Sequence, residues 1–167
     1  MQATACIDVN DSTIGLIKSF EDFDASPTTG RIGFPTVGYG HICQTRSCSE
    51  AGPFPLTRDT ATDLLKKDLQ KFTKCIADTI NDSVLLNDNQ FGALVSWAFN
   101  IGCGNAKVSA LVRRLNTGQN PNTVAAQELA KWNTSGGRVL PPLVRRRAAE
   151  VRLFQTPSSK DAHPKCT

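Results

Sequence analysis

The sequence predicts an α+β fold in which one helix and a small antiparallel β-sheet precede a mostly helical region. Apolar residues recur at helical spacing over 12–23. The stretch 25–41 is rich in glycine and proline and places β-branched and aromatic residues between them, the pattern of a tight hairpin or meander. Helical spacing then dominates 57–155. Strands collected near the N-terminus and helices after them are typical of the α+β class.

The first helix is predicted from its cap and its apolar stripe. Asp11 or Ser12 can cap it, because both side chains accept hydrogen bonds from free backbone N–H groups. Ile14, Ile17 and Glu21 follow at i, i+3 and i+7, so they share one face. We expect this helix to run to residue 23.

Starting and stopping signals divide the helical region. Thr57 or Thr60 can begin a long helix, and Asn87 with Gln90 forms a capping-box pattern before the next apolar run. Gly102 is expected to end that run. Further helices are expected at about 106–116, 123–132 and 142–154.

The last helix is predicted to begin at a proline and to bury a regular apolar stripe. Pro142 suits the first helical position, because it lacks an N–H that would go unpaired there. Spacing then places Val144, Ala148, Val151 and Phe154 on the inner face.

The length of 167 residues is that of a single domain, and we expect a monomer. We predict a small β-containing lobe over about 12–56, a helical lobe over about 57–155 and a polar tail over 156–167. A cleft between the lobes would suit a polymeric substrate. No apolar run approaches the ~20 residues of a membrane span, so no such span is predicted.

Six cysteines, spread along the chain, favour disulfides in an extracellular protein. Three N-x-[ST] tripeptides agree with secretion; six reduced thiols in a cytosolic protein are the alternative. No cysteine or histidine spacing suggests zinc, and we expect neither metal nor cofactor. Six cysteines allow fifteen pairings. The pairing we favour is Cys6–Cys166, Cys43–Cys48 and Cys75–Cys103.

A net charge of +4 favours an anionic partner without identifying it. No helix-turn-helix, zinc-finger or stacking pattern supports nucleic acid as that partner. Much of the positive charge lies in an arginine-rich segment that includes Arg138, Arg145, Arg146 and Arg147. The simplest interpretation is a solvated helix face, with Arg147 paired to Glu150 at i, i+3.

Glu21 is the candidate for acid catalysis, although spacing alone favours an ordinary glutamate at a helix end. Burial beside apolar groups raises the pKa of a carboxyl group, and a protonated glutamic acid can donate to a leaving glycosidic oxygen. The run 16–21, Leu-Ile-Lys-Ser-Phe-Glu, and the string 36–41, Thr-Val-Gly-Tyr-Gly-His, resemble the phage-type lysozymes, glycoside hydrolase family 24. The resemblance is closest to the secreted fungal branch. It continues through 93–102, 136–141 and 143–150.

The resemblance implies a lysozyme-like fold and hydrolysis of the β-1,4 bonds between N-acetylmuramic acid and N-acetylglucosamine in bacterial peptidoglycan. It implies that Glu21 is the general acid and that Thr36 positions the attacking water. It makes His41 a structural residue paired with a carboxylate. Asn100 falls where the family directs an amide toward the sugar, although a helix C-cap is an equal alternative. Arg138 and Arg145 are then candidates to bind the carboxylates of peptidoglycan.

One position departs from the family pattern. The family commonly has an aspartate nine residues after the catalytic glutamate, and this chain has Gly30 there. Asp24 is the nearby carboxylate that can replace it if the loop folds back. Inverting hydrolysis with Glu21 as acid is the expected chemistry. Transglycosylation with a single glutamate, a non-catalytic wall-binding protein and a cationic membrane-active protein are the alternatives.

Overall fold

The structure is a computed structural model that describes residues 8–30 and 33–164. It confirms the predicted α+β class. The chain divides into two compact units, one of Ile17–Gln70 and one of the residues up to Leu16 and from Lys71 onward. No helix in the described residues is long and apolar enough to cross a membrane.

The Ile17–Gln70 unit contains a three-stranded antiparallel sheet. Its strands are β1 (Asp24–Thr28), β2 (Thr36–Gly38) and β3 (His41–Ile42), in the order β1-β2-β3. Thr28 pairs with Thr36, and Asp24 pairs with Gly38, with a shift of register between the two pairs. The predicted hairpin region therefore forms a small sheet whose first strand contains a bulge.

The first helix is shorter than predicted. Helix α1 spans Asp11–Phe20, so Glu21 lies directly after it rather than within it. The Glu21 N–H still donates to the carbonyl of Ile17 at 3.1 Å. The chain then turns, because Phe23 packs against the Tyr39 ring with centroids 5.4 Å apart and Asp24 begins β1. Packing within the unit therefore overrides the helical spacing that continues to residue 23.

Helix α2 (Arg58–Thr79) starts at the predicted cap. The Thr60 N–H donates to the Thr57 hydroxyl at 3.0 Å, which satisfies one of the free N–H groups of the first turn. Gly38 sits against this helix with φ of +65°, a conformation that side chains rarely adopt, and a Cβ there would lie 3.4 Å from Ala61. The sheet can therefore pack closely on α2.

The second unit is built around a buried helix that follows a short strand. Strand β4 (Leu86–Asn87) leads into α3 (Asp88–Ile101), where Asn87 and Gln90 form the predicted capping box. Gly102 ends α3 with φ of 88°, as predicted. The remaining elements are α4 (Cys103–Lys107), α5 (Ala110–Asn116), α6 (Pro121–Glu128), β5 (Thr134–Ser135), β6 (Arg138–Val139), α7 (Pro141–Gln155) and β7 (Asp161–His163).

Two segments differ from the sequence prediction. The predicted helix over 106–116 is broken, because the Ser109 hydroxyl caps a new helix by accepting from the Val112 N–H at 3.2 Å. The predicted polar tail contains β7, which pairs with β4 through Leu86 and His163. The His163 Nδ1–H donates to the Val84 carbonyl at 2.7 Å, which holds this strand in the core.

The buried face of α7 matches the predicted apolar stripe only in part: Phe154 is buried as predicted, at 1% exposure. Val144 is 42% exposed and Ala148 is exposed. Arg146, Arg147 and Glu150 are buried in their place, at 3%, 1% and 0% exposure. The expectation of a solvated pair between Arg147 and Glu150 is therefore wrong, because α7 packs this charged face against its own unit.

Two disulfides lie within the described residues. Cys43 and Cys48 close a short loop with Cα atoms 4.9 Å apart, and Cys75 and Cys103 join α2 to α4 with Cα atoms 6.2 Å apart. Both are among the three pairings favoured from the sequence. The third, Cys6–Cys166, lies outside the described residues.

Candidate active site

Glu21 is placed by the end of α1. It is half-buried, in a bend between the last turn of α1 and the start of β1. Its backbone N–H is bonded to Ile17, so the position of its Cα follows from the helix rather than from a loose loop. A half-buried residue is still open to solvent, so a substrate atom can come within hydrogen-bond reach of it, as a general acid requires.

Thr36 lies on the neighbouring strand beside a second threonine. The Thr36 hydroxyl is 3.5 Å from the hydroxyl of Thr28, its partner in the β1–β2 register. The Thr28 hydroxyl in turn lies 3.4 Å from Oδ2 of Asp24 and can donate to it. The structure thus brings Asp24, Thr28 and Thr36 together, although Thr28 was not among the site residues predicted from the sequence.

The bulge in β1 explains how Asp24 reaches Thr28. Residues four apart in a straight strand are separated by about 13 Å, given a rise of ~3.3 Å per residue. The register shift between Asp24 and Thr28 bends the strand, so that their side chains meet on one side. Such a bulge is hard to predict from sequence. The signal available in the sequence was that Thr28 and Thr36 lie at equal distances from the middle of the predicted hairpin, which makes them candidates to pair.

Gly30 occupies a position that leaves no room for a side chain. A Cβ built there would overlap the carbonyl oxygen of Phe34 and would lie 3.3 Å from Cγ2 of Thr36. An aspartate at this position would therefore require the backbone at Phe34 to move. The same contact shows that position 30 borders Thr36, so the missing carboxylate would have stood beside this threonine.

His41 is buried between two carboxylates. Its Nδ1 lies 2.9 Å from Oδ2 of Asp68 on α2, and its Nε2 lies 3.3 Å from Oε1 of Glu50. Glu50 also accepts from the Gln44 N–H at 2.6 Å, and this hydrogen bond lowers the pKa of Glu50. These contacts tie β3 to α2 and to the loop beside it. They support a structural role for His41.

The same region holds three potential metal ligands, one of which cannot bind a metal because it is part of a disulfide. The side-chain donor atoms of His41, Cys48 and Glu50 lie within 4.8 Å of one another. The sulfur of Cys48 is bonded to Cys43, however, and cannot act as a thiolate ligand. The arrangement is therefore better described as a hydrogen-bonded loop closure.

The candidate substrate-binding residues lie on the other unit. Asn100 is exposed at the end of α3, and its amide oxygen accepts from Nη2 of Arg147 at 3.0 Å. Arg138 lies on β6 and Arg145 on α7, and both are exposed. Gly136 and Gly137 between β5 and β6 have φ of 59° and 77°, the two left-handed residues of a tight hairpin turn.

Asn100 contacts a buried cluster of charged side chains, formed by Arg146, Arg147 and Glu150, through Arg147. Nη2 of Arg147 lies 2.6 Å from Oε1 of Glu150, and Nε of Arg146 lies 3.9 Å from the same oxygen. Burial raises the pKa of Glu150 to about 7, against the opposing effect of the two arginines. Burial also lowers the pKa of Arg147, and Glu150 opposes that change. The i, i+3 spacing predicted the Arg147–Glu150 pair but not its link to Asn100.

The chain is similar to phage endolysins, to a phage lysozyme and to a bacterial muramidase domain. It is 37% identical over 158 residues to the endolysin of Bacillus phage PZA, covering 92% of this chain and 57% of that protein. The muramidase domain of SpmX from Asticaccaulis excentricus has the same fold, with a TM-score of 0.77 and 35% identity over 89% of this chain and 98% of that one. A mutant lysozyme of phage P22 gives a TM-score of 0.76 and 30% identity, covering 90% and 99%.

This chain spans little more than half the length of the Bacillus phage endolysins. Residues 18–150 of this chain match the phage lysozyme family. That range includes Glu21, the β-sheet, α3 and most of α7 up to Glu150. The chain therefore belongs to the phage lysozyme family.

Proposed function

We propose that this protein is a lysozyme that hydrolyses the β-1,4 bonds between N-acetylmuramic acid and N-acetylglucosamine in peptidoglycan. The observation that carries the proposal is the position of Glu21 directly after α1, on the same unit as the strand that bears Thr36. The similarity to endolysins and to a muramidase domain supports the substrate class. The proposal includes membership of the secreted fungal branch and an extracellular location, which the two disulfides among the described residues support.

In the proposed reaction Glu21 acts as general acid. Its proton passes to the glycosidic oxygen as the bond from that oxygen to the anomeric carbon breaks. A water molecule attacks the anomeric carbon from the opposite face, which inverts its configuration. The Thr36 hydroxyl is suited to hold this water, because a hydroxyl both donates and accepts hydrogen bonds.

Asp24 is the proposed acceptor of the proton that the attacking water loses. Its carboxylate is half-buried on β1 and is linked through the Thr28 hydroxyl to Thr36, by separations of 3.4 and 3.5 Å. The closed space at Gly30 supports this choice, since no carboxylate can stand at the usual family position without a change in the backbone. In this proposal Asp24, at the start of β1, replaces the base that position 30 lacks.

The proposal is tested by the rate at which purified bacterial cell walls clear in suspension. Replacing Glu21→Gln removes the acidic proton and keeps the shape, so the rate should fall by about 100-fold or more. Asp22→Asn is the matched control, because it makes the same change at the exposed neighbouring residue and should leave the rate near that of the wild type. A Glu21→Gln protein that keeps more than a tenth of the rate would refute the assignment.

A further inference from the structure

Arg147 determines which way the amide of Asn100 faces. Nη2 of Arg147 lies 3.0 Å from Oδ1 of Asn100. A guanidinium group only donates hydrogen bonds, so the amide oxygen must face it and the NH2 group must face away. Among residues 8–30 and 33–164 the NH2 group of Asn100 has no hydrogen-bond partner, and the residue is exposed. Asn100 therefore offers two N–H donors to solvent.

Arg147 is itself held in place. It is 1% exposed, lies 2.6 Å from Glu150 and donates to the Trp132 carbonyl at 3.5 Å. A buried ion pair adds little net stability compared with apolar side chains of the same size. A role in fixing the exposed amide accounts for keeping such a pair on the face of α7 that packs inward. Because Glu150 lies only three residues after Arg147 on the same helix, it holds the Arg147 side chain rigidly.

We infer that Arg147, held by Glu150, is a positioning residue that makes Asn100 specific for the carbonyl oxygen of an acetamido group on the sugar. Two outward N–H donors match a carbonyl acceptor. They do not match the ammonium group of a de-N-acetylated sugar, which can only donate. This inference rests on the proposed function, because it names the group of the glycan that Asn100 recognises.

Binding rather than lysis tests the inference. Calorimetry would give the Kd of wild-type protein for the trimer of N-acetylglucosamine and for the same trimer without acetyl groups, at a pH where its amines are protonated. Wild type should bind the acetylated trimer about tenfold more tightly. In Asn100→Asp one carboxylate oxygen still accepts from Arg147 and the other faces outward as an acceptor. This variant should lose the preference or reverse it.

The role of Arg147 is tested by replacing both members of its pair. Arg147→Gln with Glu150→Gln should leave the amide of Asn100 free to rotate, and the preference for the acetylated trimer should fall several-fold. Arg114→Gln with Glu128→Gln is the matched control, since it removes another pair of the same unit, 2.9 Å apart. This control should lower the melting temperature without changing the ratio of the two Kd values.

The outcomes separate the inference from the proposed function. Equal Kd values for the two trimers in wild type, no binding of either, or an unchanged ratio in Asn100→Asp would overturn the inference. An unchanged ratio in the folded Arg147/Glu150 double variant would overturn the role of Arg147. The expected ratios in a protein that releases no fragments from peptidoglycan would support the inference and refute the lytic activity. If the double variant fails to fold, Asn100→Asp decides.

Discussion

Individual side chains of the small sheet carry most of the proposed chemistry. In the proposed reaction Glu21 supplies a proton, and the hydroxyls of Thr28 and Thr36 lie between the position of the attacking water and Asp24. Each member has a distinct chemical task, so conservative substitutions at each should give different losses of activity. The two threonines occupy opposite positions in one register pair, which makes them a natural comparison.

Asp24→Asn tests the base. The variant cannot accept the proton from water, so the rate of wall hydrolysis should fall by about 100-fold at saturating substrate, with KM nearly unchanged. Thr28→Val should lower kcat by a smaller factor, and Thr28→Ser, which restores the hydroxyl, should recover it. Wild-type kcat in Asp24→Asn would show that the water loses its proton elsewhere.

The elements differ in how far the sequence predicted them. Caps and glycines predicted the start of α2, the start of α3 and the end of α3, because their hydrogen bonds are local. The predicted end of α1 was three residues too late, because helical spacing does not reveal the contact between Phe23 and Tyr39. On α7 only the packing of the folded unit shows that charged residues face inward.

The candidate site was predictable in the same unequal way. Family motifs pointed to Glu21, Thr36 and Asn100 as candidate site residues. They could not reveal Thr28, because its link to Asp24 depends on a strand bulge. Nor could they show that Gly30 leaves no space for a side chain, which is a property of the backbone at Phe34.

The turn at Gly30 yields a test at the scale of one element. Gly30→Ala and Gly30→Asp should each lower the free energy of unfolding by about 1–3 kcal/mol, because the new Cβ overlaps the Phe34 carbonyl. Gly30→Asp should also fail to raise the rate of lysis. Chemical denaturation measures the first effect. Gly104→Ala is the control, because a Cβ there meets nothing within 4 Å in α4 and should be neutral or stabilising. A stable Gly30→Asp protein with higher activity would contradict the account of this position.

The two disulfides should contribute unequally to stability. Cys75 and Cys103 are 28 residues apart in sequence, and Cys43 and Cys48 only 5. Loop-closure entropy then predicts a loss of about 3.6 kcal/mol when the first pair is replaced by serine and about 2 kcal/mol for the second. Denaturant unfolding of the two double variants compares them. A larger loss from the short loop would mean that its contacts, rather than chain entropy, dominate.

The stability of the whole molecule should depend on the titration of Glu150. Burial raises its pKa to about 7, whereas an unfolded glutamate titrates near ~4.3. Between these pH values the folded chain keeps a proton on Glu150 that the unfolded chain has lost. The contribution of this proton to the free energy of unfolding is therefore complete below pH ~4.3 and declines as the pH rises to about 7. The expected decline is on the order of 3 kcal/mol.

Comparison with two glutamine variants isolates this effect. The difference in unfolding free energy between wild type and Glu150→Gln should shrink as pH rises from ~4.3 to about 7. Burial alone would raise the pKa of Glu128 as well, but hydrogen bonds from Arg114 and Lys131 lower it. The difference in unfolding free energy between wild type and Glu128→Gln should therefore change little over the same pH range. If the difference in unfolding free energy between wild type and Glu150→Gln does not change with pH, the carboxyl group of Glu150 is ionised over this whole pH range.

The most direct test of the central claim is mass spectrometry of the fragments released from purified peptidoglycan in water enriched in oxygen-18. Hydrolysis by Glu21 predicts fragments with reducing muramic acid ends that each carry one labelled oxygen, and their absence from the Glu21→Gln protein. Fragments with anhydro-muramic ends and no label would instead show transglycosylation. No fragments from the wild-type protein would contradict the assignment of this chain as an active lysozyme.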